Sequence, residues 1–241
     1  MLAQISTRLS KKTQIAQDIW LLQFSLIDPK SFSFVAGQYM ILPVKTSAGE
    51  TINRLYSIAS QDGKTNAFEL LVETIPNGLA SVFFIQLKIN DRVNFQGPAG
   101  VFSLKKTNRP AVFLVTGTGL APVRSILLSN LSVDNRPFYL FWGLPTKEKI
   151  CLVDELRQLS LAHPNFQTYI CLSRETDLSF IKEGDKNRFI LGRINNGLET
   201  VFPKLDQYDF YLCGGRLVVE SLKNYLIEKG VLQQSIFFEK F

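Results

Sequence analysis

The chain has 241 residues, a length that suits two small domains or one large one. Hydrophobic residues make up 46% and charged residues 20%, as in a globular protein, and no run approaches the ~20 apolar residues of a membrane helix. The formal net charge of +6 divides into +4 over residues 1–106 (11 basic, 7 acidic) and +2 over residues 107–241 (16 basic, 14 acidic), with no Lys/Arg run, which argues against a nucleic-acid partner. Residues 1–104 read as β. Short or alternating apolar runs lie at Ile19–Leu26, Tyr39–Val44, Tyr56–Ala59, Phe68–Thr74 and Arg92–Phe95, separated by turn formers such as Asp28-Pro29, Asp62-Gly63 and Asn90-Asp91. Close spacing of short strands predicts an antiparallel sandwich or closed barrel, with one short helix over Leu79–Leu87.

The grammar changes at Lys105–Arg109. Ala111–Val115 is a continuous apolar run, the pattern of a strand buried on both faces of a parallel sheet. A helix is predicted over Val123–Leu131, a strand over Phe138–Trp142, a helix over Leu152–Ala162 and a strand over Gln167–Leu172. Phe210–Cys213 reads as a strand, Val218–Lys229 as a helix stopped by Gly230, and Ile236–Phe238 as a last strand. This alternation predicts a doubly wound α/β parallel-sheet domain over 107–241, after a β domain over 1–106.

Cys151, Cys171 and Cys213 match no zinc or iron–sulfur spacing, and a single histidine, His163, leaves no multi-histidine site, so no metal is expected. Three thiols without a pairing pattern suggest a reducing compartment. The opening Met1–Ser6 is too polar for a signal peptide, so a cytoplasmic protein is expected, without membrane insertion.

Four stretches carry chemistry. In Arg54-Leu55-Tyr56-Ser57 a guanidinium can fork onto a phosphate, a ring can stack and a hydroxyl can donate to a ring nitrogen; the stretch also reads as an ordinary strand. Gly78-Leu79-Ala80-Ser81 opens the short helix, where free N–H groups attract phosphate, or where Ser simply caps. Thr116-Gly117-Thr118-Gly119 joins a buried strand to a helix with Pro122 in its first turn, a placement that suits a pyrophosphate although GxGxxG is not met. Cys213-Gly214 ends another strand, where α/β domains bind ligands, or where Cys is a small buried residue.

In this order, together with Gly97-Pro98-x-Gly100-x-Phe102 and the ending Glu239-Lys240-Phe241, these motifs resemble the ferredoxin–NADP reductase family, in a form without an iron–sulfur domain. The resemblance implies a flavin-binding β-barrel and a nicotinamide-binding α/β domain. It implies FAD rather than FMN, and NAD(P)H with a slight preference for NADPH. Arg54 would hold the pyrophosphate, Leu55 and Tyr56 would lie along the isoalloxazine with Tyr56 packed on it, and Ser57 would lie near N5. Gly78, Leu79, Ala80 and Ser81 would cap the FAD pyrophosphate, and Phe241 would cover the flavin. Thr116, Gly117, Thr118, Gly119, Cys213 and Gly214 would receive the nicotinamide nucleotide, with Ser173 and Arg174 on a 2′-phosphate. Ser57, Cys213 and Glu239 would be the catalytic set.

The activity implied is hydride transfer from NAD(P)H to flavin N5, then single electrons to a small acidic carrier such as ferredoxin or flavodoxin, or to an oxygenase component. A reductase of free flavins and a non-catalytic flavin binder are the alternatives. Two departures from the family pattern stand out. Gly215-Arg216-Leu217-Val218 follows Cys213-Gly214 where prolines and a methionine are usual, and no Arg lies near Pro145.

Overall fold

The computed structural model describes residues 2–241. Contacts divide the chain into two units, one of residues 1–104 with Ala121–Ser129 and one of Lys105–Leu120 with Asn130–Phe241. The first contains β1 (Gln4–Ala16), β2 (Ile19–Asp28), β3 (Phe32–Phe34), β4 (Tyr39–Lys45), β5 (Thr51–Ser57), β6 (Gly63–Thr65), β7 (Ala67–Glu73), α1 (Leu79–Gln86) and β8 (Arg92–Ala99). Six strands form one antiparallel sheet in the order β5-β4-β8-β1-β2-β7, and β3 pairs with β6 in a separate ribbon. An antiparallel bridge between Ile58 and Leu70 joins the β5 end to β7, and Ala59 N–H donates to Glu69 O at 2.8 Å, so the sheet closes on itself as a barrel.

Period-2 alternation fills this barrel. Ile5 and Leu9 of β1, Leu22 and Phe24 of β2, Phe68, Leu70 and Val72 of β7, and Val93 and Phe95 of β8 point inward and are buried. Phe24, Phe68 and Phe95 meet ring to ring with centroids 5.0 to 5.6 Å apart. β1 has no counterpart among the predicted strands. Its inward row includes Thr7, whose buried hydroxyl donates to Val93 O at 2.8 Å, so hydrogen bonding stands in for apolar burial. Beyond Leu9 the strand continues as Lys11-Lys12-Thr13 and is held by pairing with β2, not by the core.

α1 packs Ala80 and Phe84 into the barrel core. Its last turn is fixed from outside by Lys12, whose ammonium donates to the carbonyls of Phe84, Ile85 and Leu87 at 2.8, 2.9 and 3.0 Å. A cation at a helix C-terminus satisfies orphan carbonyls and meets the negative end of the dipole.

The second unit holds β9 (Ala111–Thr116), β10 (Phe138–Leu144), α3 (Val153–Ala162), β11 (Phe166–Leu172), β12 (Phe189–Leu191), α4 (Ile194–Val201), β13 (Asp209–Gly214), α5 (Arg216–Glu228) and β14 (Ile236–Lys240). α2 (Leu120–Asn130) follows β9, and its residues 121–129 group with the first unit. The sheet is parallel throughout, ordered β12-β11-β10-β9-β13-β14. Ala111–Val115 is fully buried, which explains why β9 reads as an unbroken apolar run. Strand order runs outward from β9 to β12 on one side and from β13 to β14 on the other, so the topological switch point lies between β9 and β13.

The segment 105–109 is anchored, not slack. Asp209, 2% exposed, accepts from Thr107 Oγ1 at 2.7 Å and from Arg109 Nε at 2.9 Å, and Tyr211 OH accepts the Lys105 N–H at 3.0 Å.

Removing the charge of Lys12 should loosen α1. Lys12→Met is expected to cost about 1 kcal/mol, with three charge-assisted bonds lost at a partly solvated site. Urea denaturation checks this; a midpoint equal to that of the unaltered protein would dismiss the cap.

Candidate active site

In the first unit the candidate residues cluster where β5 ends and α1 begins. Ser57 closes β5 opposite Tyr39, and Arg54 lies opposite Leu42. Arg54 and Leu55 are exposed, Tyr56 and Ser57 half-buried. Besides a bond from Arg54 Nη1 to the adjacent Asn53 carbonyl at 3.2 Å, that exposed guanidinium has no side-chain partner among the described residues, which leaves its fork open to an anion. Tyr56 stands edge-on to Phe84 of α1 at 5.0 Å, so the strand and the helix are set against one another. Burial pushes the Tyr56 hydroxyl up to about 12, only partly opposed by Arg54, so it stays a neutral donor.

Gly78 precedes α1, and no side chain caps the helix start. The first-turn N–H groups of Leu79 and Ala80 therefore keep their attraction for an anion. A Cβ on Gly78 would lie 2.7 Å from Ser81 Oγ and from Ile75 Cγ1, so only glycine fits. Ser81 is buried and its Oγ accepts the Ile75 N–H at 2.9 Å. That bond shapes the turn before the helix and leaves the hydroxyl proton free to donate. These groups fit a dinucleotide: one cation, an uncapped helix start, and a ring held beside it.

In the second unit the candidates meet at the switch point. Gly117–Gly119 form a single 3₁₀ turn between β9 and α2. A Cβ on Gly119 would lie 2.4 Å from Cys213 O, and one on Gly214 2.2 Å from Thr116 Oγ1. Gly117 and Gly214 have φ of +52° and +151°. The strand ends thus approach so closely that neither Gly119 nor Gly214 admits a side chain. Trp142, fully buried in β10, donates its indole N–H to Gly117 O at 3.0 Å and holds the turn from below.

Cys213 lies opposite Glu239 in the β13–β14 register. Burial first, and the neighbouring Glu239 charge second, push the Cys213 thiol far up, so it remains protonated. Burial also lifts Glu239 to about 7, and its Oε2 has no hydrogen-bond partner. Phe241 is tied at its backbone: its N–H donates to Gly214 O at 3.2 Å and its carbonyl accepts from Arg216 N–H at 3.1 Å, while its ring is 63% exposed.

Ser173 and Arg174 lie just past β11, two strands from β9, about 10 Å by the usual strand spacing. Their N–H groups donate to Leu144 O and Pro145 O at 3.0 and 2.9 Å, which turns the chain and leaves the Arg174 side chain exposed. Phe189, at the start of β12, is 6% exposed and offers no open face to stack on.

Among the residues that hold the site, sequence reading passes over Lys12, Arg124 and Trp142. The signal for Arg124 was a single charge in an otherwise apolar helix, and for Trp142 an indole N–H that must find a partner once buried. Lys12 had no local signal.

Comparison with known proteins agrees with this geometry. The chain matches an oxidoreductase FAD-binding domain over residues 6–104 and an oxidoreductase NAD-binding domain over residues 113–223. It is 28% identical over 231 residues to the CDP-6-deoxy-L-threo-D-glycero-4-hexulose-3-dehydrase reductase of Yersinia pestis, covering 94% of this chain and 65% of that protein. It is 31% identical over 226 residues to the 2-halobenzoate 1,2-dioxygenase electron transfer component of Burkholderia cepacia, covering 91% and 63%. The chain thus spans less than two thirds of the length of these two relatives. The crystal structure of the Amycolatopsis cytochrome P450 reductase GcoB superposes with a TM-score of 0.86 at 27% identity, over 100% of this chain and 70% of that one. The chain belongs to the ferredoxin–NADP reductase family of flavin- and nicotinamide-binding oxidoreductases. Among its described residues no helix is long and apolar enough to cross a membrane, and no His/Cys/Asp/Glu group suits a metal ion.

The raised Glu239 carboxyl has a testable sign. Its folded value of about 7 exceeds the ordinary 4.5, so its stabilising contribution is complete below 4.5 and lost as pH rises through 7. Glu239→Gln should raise Tm more at about pH 8 than at about pH 5. An equal shift at both pH values would show that the carboxyl titrates normally.

Proposed function

We propose that this chain is an FAD-dependent NAD(P)H reductase that delivers single electrons to a protein acceptor. The observation that carries the reading is the switch point. There side-chain-free glycine backbone, the protonated Cys213 thiol and the Glu239 carboxyl, whose Oε2 has no hydrogen-bond partner among the described residues, adjoin one another. When bound, FAD supplies the two-electron to one-electron conversion, accepting hydride at N5 from nicotinamide C4.

The chain's own residues supply binding, orientation and proton control. Arg54 and the α1 N-terminus neutralise the FAD pyrophosphate; Leu55 and Tyr56 flank the ring system; Ser57 orients it. Thr116, Gly117, Thr118 and Gly119 cradle the nucleotide pyrophosphate, with Gly214 giving it room. Cys213, kept neutral by burial, packs at the nicotinamide without competing as a nucleophile. Glu239, half protonated near pH 7, holds or releases a proton. Phe241 presents an exposed ring as a removable cover. Ser173 and Arg174 read the nucleotide 2′-phosphate, which puts NADPH slightly ahead of NADH.

The acceptor is a ferredoxin, a flavodoxin or an oxygenase component. The relatives' names support this, one a dioxygenase electron transfer component and one a dehydrase reductase. The net charge of +6 suits an acidic carrier. A cytoplasmic setting belongs to the same reading and is supported by three free, buried thiols.

Anaerobic mixing of the FAD-loaded protein with NADPH, then NADH, tests the proposal. Either nucleotide should bleach the flavin band; bleaching by neither would end the reductase reading. Ser57→Ala should slow bleaching by about tenfold or more, with bound FAD retained, because orientation is lost and not affinity. An unchanged rate removes Ser57 from the mechanism. Arg174→Ala should raise KM for NADPH by about tenfold, the worth of one charge-assisted contact, and leave KM for NADH nearly unmoved. Equal effects on the two would withdraw the 2′-phosphate assignment.

A further inference from the structure

α2 carries one charge within the apolar run Leu120–Leu128, and that charge is buried. The Arg124 side chain is 8% exposed. Its Nη1 donates to Ala59 O at 2.6 Å and to Glu69 Oε2 at 2.8 Å. All three residues belong to the first unit. Burying a guanidinium is costly unless it is paired, and a well-packed apolar side chain would cover the same surface at lower cost. A buried ion pair at this position therefore calls for a reason other than stability.

The reason lies in what it holds. Ala59 is two residues beyond Ser57, on the chain that leaves β5. This exit is fastened from several sides. Ile58 N–H donates to Gln38 O at 2.9 Å, Ile58 bridges Leu70, and Ala59 N–H donates to Glu69 O. Arg124 takes up the Ala59 carbonyl, and through Glu69 it ties that carbonyl to β7. At its other end α2 is fastened to the same stretch of chain, where Ser129 Oγ accepts the Asp62 N–H at 3.0 Å. In the chain itself, α2 begins one residue after Gly119.

We infer that Arg124 is a positioning residue of the flavin strand: it fixes the chain leaving β5 and thereby the orientation of Ser57. The inference rests on the reductase reading above and adds a residue that touches neither cofactor. A buried guanidinium can serve two acceptors at fixed angles. A lysine keeps the charge but lacks the planar fork that fixes those angles, so Arg124→Lys is a partial loss and Arg124→Gln, which removes the charge, a fuller one.

The full FAD-loaded chain is compared with Arg124→Gln, Arg124→Lys and Glu69→Gln by two readouts. The first is the limiting rate of flavin bleaching at saturating NADPH. In Arg124→Gln it should fall by about tenfold or more while KM for NADPH stays within about twofold, because sub-ångström misplacement costs rate and not affinity. Arg124→Lys and Glu69→Gln should fall between Arg124→Gln and the unaltered chain. The second readout is amide hydrogen exchange, which should quicken across Ser57–Ala59 in the same order and stay unchanged across Ile5–Leu9 of β1. If either the rate or the exchange at Ser57–Ala59 is the same in Arg124→Gln as in the unaltered chain, the inference is overturned. Should Arg124→Gln fail to fold, Arg124→Lys and Glu69→Gln decide by the same criteria. Should neither nicotinamide bleach the unaltered protein, the reductase reading has failed instead, and exchange alone decides whether Arg124 holds the strand.

Discussion

The second unit depends on how closely two strand ends can approach. At the switch point between β9 and β13, Gly119 packs against the Cys213 backbone and Gly214 against the Thr116 hydroxyl, with no room for a side-chain carbon at either. This contact keeps side chains away from the two strand ends, where parallel sheets bind ligands. It also places Cys213 beside Val115 on one flank and Glu239 on the other. The site is thus a consequence of the sheet order β12-β11-β10-β9-β13-β14, and the glycines are what that order demands.

Electrostatics in this crevice follow from dryness. Neither Cys213 nor Glu239 has a strong ionic partner that would favour its charged form. Burial governs both, and it pushes thiol and carboxyl the same way, toward the neutral state. In the proposed reaction a neutral thiol would not compete as a nucleophile, and a carboxyl that titrates near 7 would be poised to hold or release a proton. The barrel uses different means to hold its candidate groups. Lys12 seals the last turn of α1, Ser81 shapes the turn before it, and Arg124 takes up the carbonyl just past Ser57.

Much of this was legible in the residues, for reasons that differ by element. β9 is apolar from Ala111 to Val115 because both its faces are covered, whereas a strand with one wet face would alternate. α5 announced its stop at Gly230, which has φ of +85°. β1 was hidden because its inward row passes through Thr7 and its outer half is Lys11-Lys12-Thr13, stabilised by its neighbours and not by its own apolar pattern. β5 starts at Thr51, five residues before its predicted start, because its exposed first half, with Thr51, Asn53 and Arg54, shows no apolar pattern. α4 was missed since Asn195-Asn196-Gly197 reads as a turn. Its Gly197 sits where a Cβ would press on Cys171 and Phe141, so packing overrides propensity there. For the candidate site, the strand-end positions of Gly117, Gly119 and Cys213 followed from the predicted strands, while their roles came only from the family resemblance. The burial of Glu239 and the grip of Arg124 were not, since both depend on partners far away in sequence.

The central claim is that the Gly117–Gly119 turn receives a nucleotide pyrophosphate, and the most direct measurement is a set of backbone amide shifts during titration with NADP⁺. The largest changes should fall on Thr118, Gly119 and Leu120, with Gly214 and Gly215 following, while Gly49 and Gly63 in the barrel do not move. Saturable shifts elsewhere with the turn unmoved would contradict it.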